Sequence, residues 1–148
     1  MAIPKKGTGA GTKISFSTDG SAYTQFASVS KITPPAYSRE TQDVTDLNSF
    51  EENDQFKEYV GGFIEADEMS IEGFFVKSDA ARDAAEAAFY SNEEVYLKIT
   101  MPAFIGKTVT VKGIITKYQP FGELTPDGGV AFSLSIKPNA KPTVGDAA

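Results

Sequence analysis

The sequence predicts a mainly β domain carrying one α-helix, one long internal loop and two loose terminal arms. Three patterns lead there. Apolar residues alternate with polar ones over Val95, Leu97, Ile99 and Met101 against Tyr96, Lys98 and Thr100, the two-residue period of a half-buried strand. The run "SDAARDAAEAAFYSN" switches to helical spacing and strong helix formers. Between two strand-like segments lies "DLNSFEENDQFKEYVGG", acidic and aromatic at once. At 148 residues, with 41% hydrophobic and 11% aromatic residues, the chain is long enough for one real core and too short for two, so 1–148 reads as one domain.

Residues 1–12, rich in Gly, Lys and Thr, read as an N-terminal arm. Thr12–Thr18 and Tyr23–Ile32 are expected to form a hairpin about Asp19-Gly20, because Gly tolerates the positive φ of a tight turn. Pro34-Pro35 should stop the second strand, since proline donates nothing to a ladder. "SRETQDVTD" reads as a short extended segment, and 46–60 as the long loop. In "EADEMSIEGFFVK", Met69, Ile71, Gly73 and Phe75 share one strand face, opposite Ser70, Glu72, Phe74 and Val76. The helix is expected to start at an Ser78 N-cap with Asp79 in its first turn. Ala81, Ala84, Ala85, Ala88 and Phe89 would form its buried stripe, with Arg82 and Glu86 on another face. Thr108–Tyr118 reads as a long strand whose apolar set changes register around Gly113, from Val109 and Val111 to Ile114. Val130, Phe132, Leu134 and Ile136 mark the last strand, and 138–148 a C-terminal arm.

Composition excludes much chemistry. With no cysteine and no histidine, the chain has no disulfide, no thiolate, no imidazole ligand and no histidine-based catalytic triad. The adjacent acids Asp67/Glu68 and Glu93/Glu94 point to opposite faces of a strand and cannot act jointly on one substrate. "GTGAG" follows no strand and opens no helix, so it is not a phosphate loop. No catalytic, metal or cofactor-binding residue is therefore expected. The net charge of −6 is the wrong sign for gripping nucleic acid or an anionic membrane. The start lacks the apolar run of a signal peptide and no stretch has the length of a membrane span, which predicts a soluble protein made in the cytoplasm.

The long loop carries five acids, Asp46, Glu51, Glu52, Asp54 and Glu58, against Lys57, yet Leu47, Phe50, Phe56 and Tyr59 run through it. Structureless connections of this length are usually functional or disordered, and a disordered one needs no such side chains. These four are therefore candidate contacts buried against something outside the monomer, while the acids keep the free chain soluble.

Taken in order, "FSTDGSAYTQFASVSKITPP", "SRETQDVTDLNSF", "KEYVGGFIEADEMSIEGFF", "VYLKITMP" and "GIITKYQPFGELTPDGGVAFSLSIKPNAKPT" resemble the major tail tube proteins of long-tailed, siphovirus-like bacteriophages. The resemblance implies a β-sandwich or barrel-like subunit with a flanking helix, six to a ring, the rings stacking into a virion tail tube that conducts DNA during ejection. It implies a structural protein rather than an enzyme, without cofactors. Its partners would be other copies of itself, a tape measure protein and tail-end or terminator proteins, and the site of synthesis would be the host cytoplasm. Leu47, Phe50, Phe56 and Tyr59 then become the assembly-loop contacts. DNA would pass without specific binding, which predicts a neutral or negative lumen, with Glu68 and Glu72 as candidate lumen acids and Lys98, Lys112, Lys117 and Lys137 paired or facing away. A related secretion-machine tube, or a monomeric β-sandwich module binding carbohydrate or protein, would share much of the same pattern.

Overall fold

A computed structural model describes residues 7, 9–103 and 105–146, so most of the expected N-terminal arm lies outside the described residues. The elements run β1 (Lys13–Ser17), β2 (Thr24–Gln25), β3 (Lys31–Thr33), β4 (Tyr37–Asp43), α1 (Ser49–Glu52), β5 (Tyr59–Ala66), β6 (Met69–Phe74), α2 (Ala80–Ser91), β7 (Glu94–Thr100), β8 (Lys107–Gln119), β9 (Ala131–Pro138) and β10 (Thr143–Asp146). Eight strands join in one antiparallel sheet, ordered β2-β1-β7-β8-β9-β6-β3 with β10 also on β8; β4 and β5 form a separate two-stranded sheet.

β8 is the spine. Its first half pairs with β7 and β10, its second half with β9, so one long strand serves both halves of the sheet. The sheet curls until both ends share one core: Phe26, just past β2, meets Phe16 edge-on at 6.4 Å and stacks on Phe132 of β9 at 6.3 Å. Ile14, Met69, Ile71, Leu97, Ile99, Val111, Leu134 and Ile136 fill the inside. The alternation over 95–99 and 132–136 is thus an inward set, as the period requires. The fold is mainly β and barrel-like, as expected, with a second short helix inside the long loop.

Several local expectations shift. Asp19-Gly20 does turn the chain, with Gly20 at φ 80°. Its turn is fixed by Asp19, which accepts from the Ser21 and Ala22 N–H groups; these bonds hold its carboxyl well below the usual range. The partner strand, however, is split. β2 pairs with β1 for two residues, and the chain then crosses to place β3 on β6. The crossing runs over Gly73, where a Cβ would sit 2.1 Å from the Ser28 carbonyl oxygen.

On β8, Val109, Val111 and Ile115 all point inward and Ile114 faces out, so the apolar set does not change face at Gly113. Gly113 is needed for another reason: a Cβ there would meet the Lys137 carbonyl at 2.4 Å, where β9 joins the strand. The register shift comes later, between Ile115 and Lys117. The last residues are partly a strand too, with β10 held on β8 and Lys107 bonded to Asp146 at 2.6 Å.

The helix begins one residue later than expected. Asp79, not Ser78, is the N-cap of α2; it accepts from the Arg82 N–H at 3.3 Å and, across the fold, from the Ala27 N–H at 3.2 Å. Ala81, Ala85 and Ala88 are buried as the spacing predicts. Arg82, placed by its spacing with Glu86 on another face of the helix, is itself buried. Its guanidinium lies 4.0 Å over the Phe75 ring and donates to the Val76 carbonyl and the Tyr118 hydroxyl, so its aliphatic stem counts as core. Burial pushes the Tyr118 hydroxyl up from its ordinary pKa.

Candidate assembly surface

The region from 37 to 66 departs from the pattern of the body. β4 and β5 pair antiparallel from Tyr37↔Ala66 to Asp43↔Tyr59, with an extra residue on β5 opposite Glu40 that bends the ribbon. All of β4 and all of β5 except Ala66 are exposed. A two-stranded ribbon is marginal alone. This one is held at its base, where the Asp67 N–H donates to the Ala36 carbonyl, and Lys137 on β9 donates to the Ala66 carbonyl at 2.9 Å and pairs with Glu65 at 3.1 Å.

At its far end the hairpin closes into a structured knob. Val44 N–H donates to the Glu58 carbonyl, and Glu58 N–H donates to Thr45 Oγ1, making a neck. Thr45 N–H donates to Asp43 and Asn48 N–H to Asp46, two Asx turns that feed α1. The Thr45 donors hold the Asp43 carboxyl below its ordinary pKa. Beyond α1, Asp54 and Gln55 take φ 49° and 73°, a left-handed pair that reverses the chain, and Gln55 N–H returns to the Phe50 carbonyl. What reads in sequence as a long loop over 46–60 is therefore a short helix and turns capping a ribbon, with Tyr59 and Val60 already in β5.

The four candidate contacts all sit in this region. Leu47 is 97% exposed, Phe56 73%, Phe50 64% and Tyr59 57%. Sequence reasoning missed their company: Tyr37, Val44, Val60, Phe63 and Ile64 are exposed on the same ribbon. The available signal was "YVGGFIEA", a β-rich run that the preceding acidic stretch masks. Apolar side chains on both faces of a ribbon with two open edges call for partners on more than one side. A second exposed apolar group, Phe74, Phe121 and Leu124, gathers at the opposite end of β6 and along the β8–β9 connection.

The two candidate lumen acids are not part of the knob. Glu72 is exposed on β6, opposite Lys31 and Ser133 in register, on the sheet face away from the core. Glu68, just before β6, is exposed and accepts from Thr116 Oγ1 at 3.2 Å. Of the late-strand lysines, Lys112 pairs with Glu94 at 3.1 Å, Lys137 with Glu65, and Lys98 lies 5.6 Å over the Tyr23 ring. Lys117 makes no ion pair among the described residues. Among the described residues no three His, Cys, Asp or Glu gather in a way that would hold a metal ion.

No protein-family model matches the chain, and no curated protein does. Solved structures do. A chain in the tail of an empty gene transfer agent particle, from a helical refinement with C6 symmetry, superposes with a TM-score of 0.73 at 20% identity, over 93% of this chain and 98% of that one. The fold is one found in the tails of phage-like particles. A chain of the native gene transfer agent virion matches at 0.73 and 18% identity, over 95% and 99%. The same fold extends to a chain in the sheath/tube terminator of an extracellular contractile injection system, at 0.68 and 10% identity over 97% and 99%. Near-complete coverage on both sides means that the curled sheet, the helix and the ribbon belong to one shared architecture.

Proposed function

We propose that this chain is a structural virion protein that assembles into hexameric rings stacked as a phage tail tube, the conduit for DNA during ejection. The observation that carries the reading is the β4–β5 ribbon: on a tail tube fold, it exposes apolar residues on both faces and, among the described residues, leaves both edges unpaired. Leu47, Phe50, Phe56 and Tyr59 act as assembly contacts at its tip and neck. Sixfold symmetry in the gene transfer agent tail supports the ring. A closed head-to-tail ring covers open strand edges, and stacking supplies a second, open-ended interface.

Glu68 and Glu72 are assigned to the lumen because a conduit must not hold its cargo. Neutralising six to ten phosphates makes DNA affinity fall by about a thousandfold or more over a modest salt rise, so unpaired lysines repeated over many rings would act as a brake. The engagement of Lys98, Lys112 and Lys137 supports this. Tail-end proteins and a tape measure protein complete the proposed partners, and the tail of the particle is the proposed location. The contractile injection system match favours a second use, as the ring-forming tube of a related secretion machine.

Electron microscopy of the purified chain at rising concentration tests the reading. Sixfold rings or tubes are expected; a strict monomer, even when seeded with preformed tail ends, rejects it. Tubes that admit duplex DNA separate the phage conduit from the injection-system tube.

A further inference from the structure

We infer that the knob of one chain docks into a groove on a second copy, at the seam where the curled sheet fails to close. The groove, about 550 Å³, lies between the β3 segment and the end of β7, walled by Val29, Ile32, Ile99, Met101 and Ile105, with Lys31 on its lip. The inference rests on the tube reading and names the seat that the knob takes.

Three observations fit knob to groove. The first is reach. β4 spans seven residues, so the ribbon carries its tip roughly 20 Å from its base at about 3.3 Å per residue. The groove includes Pro34, three residues before that base, so a chain's own knob is held away from its own groove. The occupant must come from another copy. The second is shape. A cavity of this volume is in the range that accepts a bound group, and the knob presents separated apolar side chains, Phe50 and Phe56, on a backbone fixed by its neck and turns.

The third is charge. The knob carries Asp46, Glu51, Glu52, Asp54 and Glu58 against Lys57. At the groove, Lys31 and Lys13, which adjoins the lining residue Thr12, are exposed, and neither makes an ion pair among the described residues. Glu72 lies opposite Lys31 in register without pairing to it. Aromatics entering an apolar seam and acids meeting a lysine lip give anchors at the centre and orientation at the rim.

The absence of native cysteine gives a clean test. Ser30→Cys/Phe56→Cys, assembled and then oxidised, is expected to give covalent ladders on a non-reducing gel. The control Tyr90→Cys/Phe56→Cys, with Tyr90 exposed on α2, is expected to stay uncrosslinked. K13E/K31E is expected to cut the assembled fraction on the order of tenfold, and adding E51K/E52K to restore it, because like charges across an interface are strongly penalised. If the unaltered chain never assembles, the tube reading falls and this inference with it. If it forms tubes but the ladders are absent, or K13E/K31E assembles normally, the groove assignment alone is wrong.

Discussion

The body and the ribbon of this molecule use the same residue types to opposite ends. In the body, Phe16, Phe26 and Phe132 are buried in mutual contact; in the ribbon, Phe50, Phe56 and Phe63 stand in solvent. Among the described residues the body gathers eight strands into one curled sheet, whereas the ribbon is two strands with both outer edges open. The difference teaches that apolar content alone does not mark a core. What separates the two is whether the chain supplies the other half of each contact, and for the ribbon it does not.

That contrast can be broken experimentally, and the largest effect belongs to the ribbon. Phe50→Ser/Phe56→Ser is expected to leave monomer stability within about 0.5 kcal/mol in urea, as at exposed sites. Assembly should weaken by roughly 3–6 kcal/mol, for two aromatic side chains no longer buried, read as a rise of at least about a hundredfold in the critical concentration. A collapse of the monomer instead would make these rings core. Phe132→Ala should do the reverse, costing about 3–5 kcal/mol of folding stability by denaturant titration. Asp79→Ala removes the α2 cap and the bond to Ala27 N–H, and should cost about 1–2 kcal/mol by the same measurement.

The smallest effect is a pH dependence at the neck. Asp43 has a folded pKa below its unfolded one, so its contribution is fully present above the unfolded carboxylate value, near 4, and is lost as pH falls through the lowered value. Protection of the Thr45 amide, relative to its intrinsic exchange rate, should therefore hold at pH 5 and fall only in stronger acid. Loss of protection already between pH 7 and 5 would show that this carboxylate does not hold the neck.

Much of the body was legible because its strands obey the two-residue period: Val95 to Ile99 and Phe132 to Ile136 could be read straight off the chain. So could the Ala stripe of α2. The burial of Arg82 was not legible, because spacing alone sets it with Glu86 on a face apart from the Ala stripe. Its burial depends on Phe75 and Tyr118, which adjoin it only in the folded chain. The crossing from β2 to β3 was hidden for the same reason, as one continuous β-rich run pairs with two different strands. On the ribbon, the candidate contacts were visible as a clash of signals, but β5 was not. Gly61-Gly62 and flanking acids lower its strand character, and β4 is polar after Tyr37, so neither shows the alternation of a half-buried strand.

Lys137 gives the ribbon a mechanical property. Its ammonium grips Glu65 and the Ala66 carbonyl where the ribbon leaves the body and, with the bond from the Asp67 N–H to the Ala36 carbonyl, braces the root of a lever roughly 20 Å long. A swing of about ten degrees at that pivot carries the tip by roughly 3.5 Å, about three quarters of the spacing of neighbouring strands. In the proposed stack of rings, an offset of that size repeated at each layer would change the pitch, so the twist of the tube is expected to respond to the bracing at the root of each arm.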